Sequence, residues 1–364
     1  MILKRIQGTK FRNYSSFSFS PSPSNTIILG ENGSGKTSLL EAIYLLGSGK
    51  SFRTSRLQRL LNIDADEFTL YAEFTLGEML YRAGLSRNAQ QFTGVKLNNH
   101  PVASLSELVR HFPVQVFHSN STDMVYGAAE LRRRFVDWGL FHVEPEFHEL
   151  WRQLNKIIKQ RNKLLKEYSI NAAEIAPWDK QLVLVSGKIN SLRQQHVEAI
   201  RPYLISMYAS FDGSEEIDIA LYPGWPEKAS LEELLQESFE TDRQRGFTSR
   251  GAHRADLRLL KNKMPVRDLM SRGQIKTLSI LIGLAQLHYL VKEKALRCLV
   301  LVDDLAAELD SQHMTHLVEQ LSSLGLQTIY TALSHESLPS ILLKDKKAAL
   351  FHVEQGGLKV VDES

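Results

Sequence analysis

Over residues 1–120 the apolar positions come in short runs separated by polar turns, as in Phe68-Thr69-Leu70-Tyr71-Ala72-Glu73-Phe74. Alternation of period two puts every second side chain on one face of a strand, so this third of the chain predicts a strand-rich lobe. Residues 25–29 (NTIIL) add a short apolar run of strand character, and residues 38–46 (SLLEAIYLL) read as a helix. From about residue 130 to 210 the period lengthens. Phe147, Leu150, Trp151, Leu154, Ile157, Ile158, Leu164, Leu165 and Tyr168 recur at three- and four-residue spacing, the period of one helical face. Arg152, Lys156, Lys159, Lys163 and Lys166 step by the same intervals two positions out of phase, roughly 200° around a helix. The segment predicts an amphipathic helix with a cationic ridge turned away from its core. Residues 231–240 (LEELLQESFE) predict another helix and residues 275–291 a strongly apolar one. Residues 297–303 and 327–333 read as buried strands, and a hairpin is expected around Gly356-Gly357.

Composition narrows the class. A chain of 364 residues with 43% apolar content is long enough for about two domains with full cores. Its 44 Lys+Arg against 41 Asp+Glu leave a net charge of only +3, so any contact with nucleic acid must come from local patches. One such patch is residues 241–276, with ten Lys/Arg against Asp242, Asp256 and Asp268. The single cysteine, Cys298, lies in an apolar run. It cannot form an internal disulfide, and a core position in a reducing cytosol is expected. The N-terminal MILKRIQGTK carries no signal-like apolar stretch, and nothing approaches the roughly 18 residues of a membrane span. A soluble cytoplasmic protein without membrane contact is expected.

The candidate chemistry begins at Gly30-Glu31-Asn32-Gly33-Ser34-Gly35-Lys36-Thr37, followed by Ser38. This is a complete phosphate-binding P-loop between a predicted strand and a predicted helix. Its glycines let successive backbone N–H groups face phosphate oxygens, while Lys36 reaches the β- and γ-phosphates and Thr37 ligates Mg²⁺. ATP and Mg²⁺ are the expected cofactors. A partner motif lies at Leu299-Val300-Leu301-Val302-Asp303-Asp304, an apolar strand ending in two carboxylates. Asp303 is the expected metal ligand and Asp304 the residue that orients or deprotonates the attacking water. With Lys36, Asp304 is the catalytic candidate.

Ser271-Arg272-Gly273-Gln274, ahead of the apolar helix, resembles the signature of ABC-type ATPases. There the signature meets the γ-phosphate held by another subunit's P-loop. Ala307-Glu308-Leu309-Asp310 is similar to the D-loop of the same proteins, which crosses the dimer interface. Two chains would then sandwich two ATP molecules, linking ATP binding to a homodimer and hydrolysis to its release.

Further motifs are more specific. Lys10-Phe11-Arg12-Asn13-Tyr14, Gly49-Lys50-Ser51-Phe52-Arg53, Arg132-Arg133-Arg134-Phe135-Val136-Asp137, Lys159-Gln160-Arg161-Asn162, Trp178-Asp179-Lys180-Gln181-Leu182 and Gly251-Ala252-His253-Arg254-Ala255-Asp256-Leu257 together resemble the RecF family, relatives of the SMC ATPase heads. The resemblance implies an α/β ABC/SMC-like P-loop ATPase head with a strand-rich lobe and an inserted, mostly helical lever-arm domain. The head would comprise residues 1–125 plus 245–364, and the arm residues 126–244. By resemblance Arg12 lies near the nucleotide phosphates or base. The family's properties imply an ATP-dependent, clamp-like recombination mediator at single-strand gaps and single/double-strand junctions. It would act with RecR and RecO to load RecA, in gap repair, replication restart and SOS induction. Its ATPase is implied to be weak and DNA-stimulated, serving as a switch. The chain departs from the family at Phe117-His118-Ser119-Asn120-Ser121, where Gln115 or Asn120 could serve as the Q-loop residue. It departs also at Ala252, and from transporter ATPases at Thr331, where those place a switch histidine. Asp304 stands where ABC ATPases commonly carry glutamate, one methylene longer, and slow hydrolysis is the expected result.

No helix-turn-helix, zinc finger or aromatic-rich platform is visible, so DNA contact is expected to be sequence-indifferent and salt-sensitive. The candidates are Arg132, Arg133, Arg134, Lys156, Lys159, Lys163 and Arg254. The competing reading is the ATPase subunit of an ABC transporter, which shares the P-loop, signature and acidic strand.

Overall fold

The alternating runs of the first third of the chain become an antiparallel sheet. β1 (Ile2–Phe11) turns back into β2 (Tyr14–Phe19), and β3 (Asn25–Leu29) leads through the Gly-rich loop into α1 (Lys36–Ser48). β4 (Glu67–Leu76), β5 (Met79–Asn88), β6 (Phe92–Leu97) and β7 (His100–Pro101) then extend the first sheet in the order β2-β1-β4-β5-β6-β7. α2 (Leu105–His111) and β8 (Val114–His118) follow. The computed structural model describes residues 1–118, 122–167, 169–212, 216–304, 309–354 and 356–361, without the side chains of Phe211 and Asp212.

The long helical periodicity becomes α3 (Asp123–Tyr126), α4 (Ala129–Val143), α5 (Phe147–Leu164) and α6 (Ala172–Asp212). α6 contains Pro177 and Pro202. β9 (Ile217–Tyr222), α7 (Leu231–Glu237) and α8 (Phe239–Arg245) come next; the acidic run expected as one helix is broken at Ser238. β10 (Asp256–Lys261) pairs antiparallel with β9 and with β11 (Met264–Pro265). α9 (Val266–Leu269) then precedes α10 (Arg272–Lys294). Leu150, Leu154 and Ile157 of α5 are buried, as are Leu182, Ile189 and Leu204 of α6 and Leu278, Leu281 and Leu284 of α10. In the middle of this apolar packing Arg161 is wholly buried. Its guanidinium donates to Asp179 at 2.6 Å, Asp242 at 2.8 Å and Thr248 Oγ1 at 3.1 Å, which is how a buried cation is tolerated.

The chain then returns to the beginning. β12 (Leu299–Asp303), α11 (Ser311–Ser323), β13 (Thr328–Ala332), α12 (Ser340–Leu343), β14 (Ala349–Glu354) and β15 (Gly357–Val360) complete a second sheet, ordered β15-β14-β3-β13-β12-β8. β14, β3, β13, β12 and β8 run parallel, and β15 closes the edge as the antiparallel arm of the expected hairpin. α1 packs against β1 of the first sheet and against β8, β12 and β13 of the second. Leu39, Leu40, Ala42, Ile43, Leu45 and Leu46 have no solvent exposure. Each buried Leu or Ile contributes about 2 kcal/mol relative to exposure. This apolar collar fixes α1, and with it the Lys36 and Thr37 side chains of its first turn. Cys298 is buried beside the same sheet, and burial pushes its thiol up to about 12.

Two compact units result: Met1–Ser121 with Leu296–Ser364, and Thr122–Ala295. The sequence reading puts residues 245–295 with the head, whereas here they group with the helices. The reason is local: α10 packs along α6 and α4, and β10 pairs with β9.

Candidate nucleotide site and candidate DNA-contacting residues

Three neighbouring parallel strands, β3, β13 and β12, bring their carboxyl ends together. Register pairs Thr331 with both Ile28 and Asp303, so the start of the Gly-rich loop, Thr331 and the acidic pair share one edge of the sheet. Ligands of open α/β sheets bind at this edge. Thr37 Oγ1 donates to Asp303 Oδ1 at 3.0 Å, and Thr331 Oγ1 donates to the same oxygen at 2.9 Å. Thr331 Oγ1 in turn accepts the Asp304 N–H at 3.0 Å. One threonine thus ties both acidic residues to the middle strand. Asp304 adopts φ 50°, a left-handed conformation uncommon for a residue with a Cβ.

Lys36 is 6% exposed. Its Nζ donates to the carbonyls of Gly30 at 2.5 Å and Glu31 at 3.0 Å. Burial lowers its pKa, and the charges of Asp304 and Asp303 oppose that shift. Asp303 is 8% exposed, and burial raises its pKa against the hydrogen bonds of Thr331 and Thr37. A desolvated carboxylate beside a threonine hydroxyl supplies two hard oxygen donors and leaves the other positions to phosphate and water, which fits Mg²⁺. The N-terminus of α1 has Gly35 as its cap with no side-chain cap bond, so its first N–H groups are available to an anion. Gly33 and Gly35 sit at φ 82° and 122°, conformations only glycine adopts at little cost.

The Arg12 guanidinium is engaged within the protein. It forks onto Glu41 of α1, at 2.7 Å from Nε and 2.8 Å from a terminal nitrogen, and donates to the Arg59 carbonyl at 3.0 Å. Glu41 is fully buried and also accepts from Ser51 Oγ. Nothing in the sequence pattern singled out Glu41, because a carboxylate inside an apolar helix period reads as an irregularity. Of the Q-loop candidates, Gln115 is half-buried on β8, and Asn120 lies outside the described residues.

In the helical unit, Ser271 caps α10 through a reciprocal box. Its Oγ accepts the Gln274 N–H at 3.3 Å, and Gln274 Oε1 accepts the Ser271 N–H at 2.9 Å. Arg272 and Gly273 open the helix at the surface, and apart from its chain neighbours and the helix's own backbone no described atom lies within 4 Å of the place a Gly273 Cβ would take. Packing inside the chain therefore does not require a glycine there. Ala307 and Glu308 of the expected D-loop lie outside the described residues, while Asp310 caps α11, accepting the His313 N–H at 2.9 Å.

The expected DNA-contacting residues divide. Lys156, Lys159 and Lys163 are exposed along α5 opposite its buried Leu150, Leu154 and Ile157, and Lys166 is exposed in the turn just beyond the helix. Arg132, by contrast, holds Asp256 through two bonds of 2.7 and 3.0 Å and donates to the Gly127 carbonyl. Arg133 donates to the Ala255 carbonyl at 2.6 Å. Both are committed to holding the segment around Asp256. Arg134 is exposed and pairs with Glu130 one turn away. Arg254 is exposed, with its guanidinium 5.0 Å from the Phe247 ring centre and bonded to the Thr248 carbonyl.

Known proteins place this arrangement. The family model described as the RecF/RecN/SMC N terminal domain matches residues 2–358. The DNA replication and repair protein RecF of Shewanella woodyi is 38% identical over 363 residues, covering 100% of this chain and 99% of that one. The chain belongs to the RecF family. Its fold is that of RecF: the structure described as the recombination mediator protein RecF-ATP in the RecFOR pathway superposes with a TM-score of 0.87 at 23% identity, over 99% of this chain and 98% of that one. An SMC head bound to the C-winged helix domain of ScpA follows at a TM-score of 0.58 and 15% identity, over 99% and 97%. The RecF-like elements thus outweigh the motifs shared with transporter ATPases. Among the described residues, no helix is long and apolar enough to cross a membrane.

Proposed function

We propose that this RecF-family chain is an ATP-gated, DNA-binding recombination mediator that supports repair and replication at single-strand gaps and duplex junctions. The observation that carries the nucleotide part is the convergence of Lys36, Thr37, Asp303 and Thr331 at one sheet edge, with Thr37 and Asp303 bonded at 3.0 Å. ATP binds there, its phosphates held by the N–H groups of the Gly-rich loop and by Lys36. Thr37 and Asp303 hold Mg²⁺, which neutralises phosphate charge when bound. Asp304 orients the attacking water. Ser271 to Gln274 of a second copy complete the site, and the empty space around Gly273 supports approach by another molecule. The resulting dimer grips DNA without reading its sequence, through exposed cations such as Lys156, Lys159 and Lys163. Weak, DNA-stimulated hydrolysis releases it. RecR, RecO and RecA are the partners, in the cytoplasm. The RecF-ATP structure, whose fold this chain shares, supports the nucleotide assignment.

The test is sedimentation velocity of a fluorescent gapped duplex with the protein, with and without Mg-ATP, beside Lys36→Ala. Mg-ATP is expected to drive two chains onto the DNA and the variant to fail. DNA that sediments unchanged in every condition overturns the reading.

A further inference from the structure

The carbonyl side of the Gly-rich loop is held by donors to which nothing above assigns a role. Asn13 Nδ2, from the turn between β1 and β2, donates to the Ser34 carbonyl at 3.2 Å. The backbone N–H of Gly356, at the β14–β15 hairpin turn, donates to the same carbonyl at 3.1 Å. Tyr14, 1% exposed at the start of β2, donates its hydroxyl to the Gly35 carbonyl at 3.0 Å, alongside the helical bond from the Leu39 N–H. Two sheets therefore contribute donors to two successive peptide groups. Gly35 fits this contact tightly: a Cβ there would come within 2.6 Å of the Tyr14 oxygen.

The consequence follows from the planarity of the peptide bond. In a trans peptide the C=O of one residue and the N–H of the next point in opposite directions. Fixing the Ser34 carbonyl toward Asn13 and Gly356 therefore aims the Gly35 N–H away from them. Fixing the Gly35 carbonyl toward Tyr14 likewise aims the Lys36 N–H away. Glycine-rich backbone has the greatest conformational freedom to lose, so a loop of this kind does not hold two N–H groups in one direction unaided. We infer that Asn13 and Tyr14, together with the Gly356 amide, are positioning residues that aim the Gly35 and Lys36 N–H groups at the nucleotide phosphates. They act from behind the loop and touch no ligand themselves. The role rests on the nucleotide reading of this site and extends it to the turn between β1 and β2 and to the C-terminal hairpin. Preorganised donors bind an anion without ordering the loop at that moment.

The experiment compares the full chain with Asn13→Ala, Tyr14→Phe and the double variant. Dissociation constants for Mg-ATP, Mg-ADP and adenosine are measured by calorimetry, alongside the melting temperature of the nucleotide-free protein. Tyr71→Phe is the control, because Tyr71 lies on the same sheet and its hydroxyl donates to Glu73 rather than to the loop. The double variant is expected to bind ATP and ADP about tenfold more weakly, with adenosine affinity and the nucleotide-free melting temperature close to those of the parent and of the control. Asn13 is exposed, so its single variant reports on the loop even where the double variant folds poorly. Phosphate affinity equal to the parent's in the double variant, or a loss matched by Tyr71→Phe, overturns the inference while leaving the nucleotide reading in place. A parent chain that binds neither ATP nor ADP removes both.

Discussion

Glu41 shows how a single residue can be more constrained than its sequence context suggests. It lies on α1 among apolar neighbours, yet its carboxylate is wholly buried and takes both nitrogens of the Arg12 fork. Removing one partner of a buried pair leaves the other charge uncompensated, at a typical cost of several kcal/mol. Arg12 keeps 20% of its side-chain exposure, which moderates the penalty. Glu41→Ala is expected to lower unfolding stability by about 3 kcal/mol, read as a shift of the urea midpoint at constant slope. An unshifted midpoint would show that the pair contributes nothing net. The same residue explains a failure of sequence reading. The apolar period announced α1, but no local pattern tells a carboxylate that faces a buried arginine from one that faces water. Arg132 and Arg133 illustrate the converse, since a run of three adjacent cations reads as a surface patch. Two of them reach back to Asp256 and to the Gly127 and Ala255 carbonyls, partners 122 and 124 positions away or close by in chain but invisible to composition.

Elements were legible wherever periodicity was strong. The first sheet's strands and the long helices follow from spacing of two or of three to four residues, the strand before the P-loop and the helix after Ser271 from continuous apolar runs, and the terminal hairpin from Gly356-Gly357. The cationic ridge of α5 belongs to this class, because the phase offset alone set Lys156, Lys159 and Lys163 opposite Leu154 and Ile157. Reversing those three lysines to glutamate is expected to flatten the dependence of gapped-DNA affinity on salt by about three phosphate contacts. An unchanged salt slope would remove α5 from the DNA-binding surface. Less legible was the way the helical unit closes on its histidines. His196 is buried with Nε2 3.1 Å from Gln286 Oε1, and His253 has Nε2 3.0 Å from the Thr248 carbonyl. Burial, opposed by these bonds, lowers each pKa from 6.5 to about 4. Below pH 6.5 the unfolded chain therefore takes up protons that the folded chain still refuses, so this stability is complete above pH 6.5 and falls as the pH drops toward 4. At pH 5 the loss is about 2 kcal/mol for each histidine. Urea midpoints at pH 7.5 and 5.0 test this, with His196→Gln expected to reduce the difference; a midpoint that is higher at pH 5.0 contradicts it.

At the scale of the whole molecule, the proposed function has a second copy supply Ser271 to Gln274 to the nucleotide. Asp304→Asn is expected to keep Mg-ATP-driven dimerisation, because Asp303 and Thr37 remain, while phosphate release falls below detection. Sedimentation and a phosphate assay on one preparation check both halves; loss of the dimer would mean that Asp304 holds structure rather than water. A different consequence lies in the order in which the chain is made. β3 pairs with β13 and β14, and β8 pairs with β12, all of which lie beyond residue 295. A nascent chain on the ribosome thus carries its P-loop on a strand with no paired neighbour until β13 has been made, some 300 residues later. Until β12 is made the apolar face of α1 has only the first sheet, α2 and β8 to cover it, and a message cut between α1 and β12 yields a chain with every P-loop residue and neither Asp303 nor Thr331 beside it.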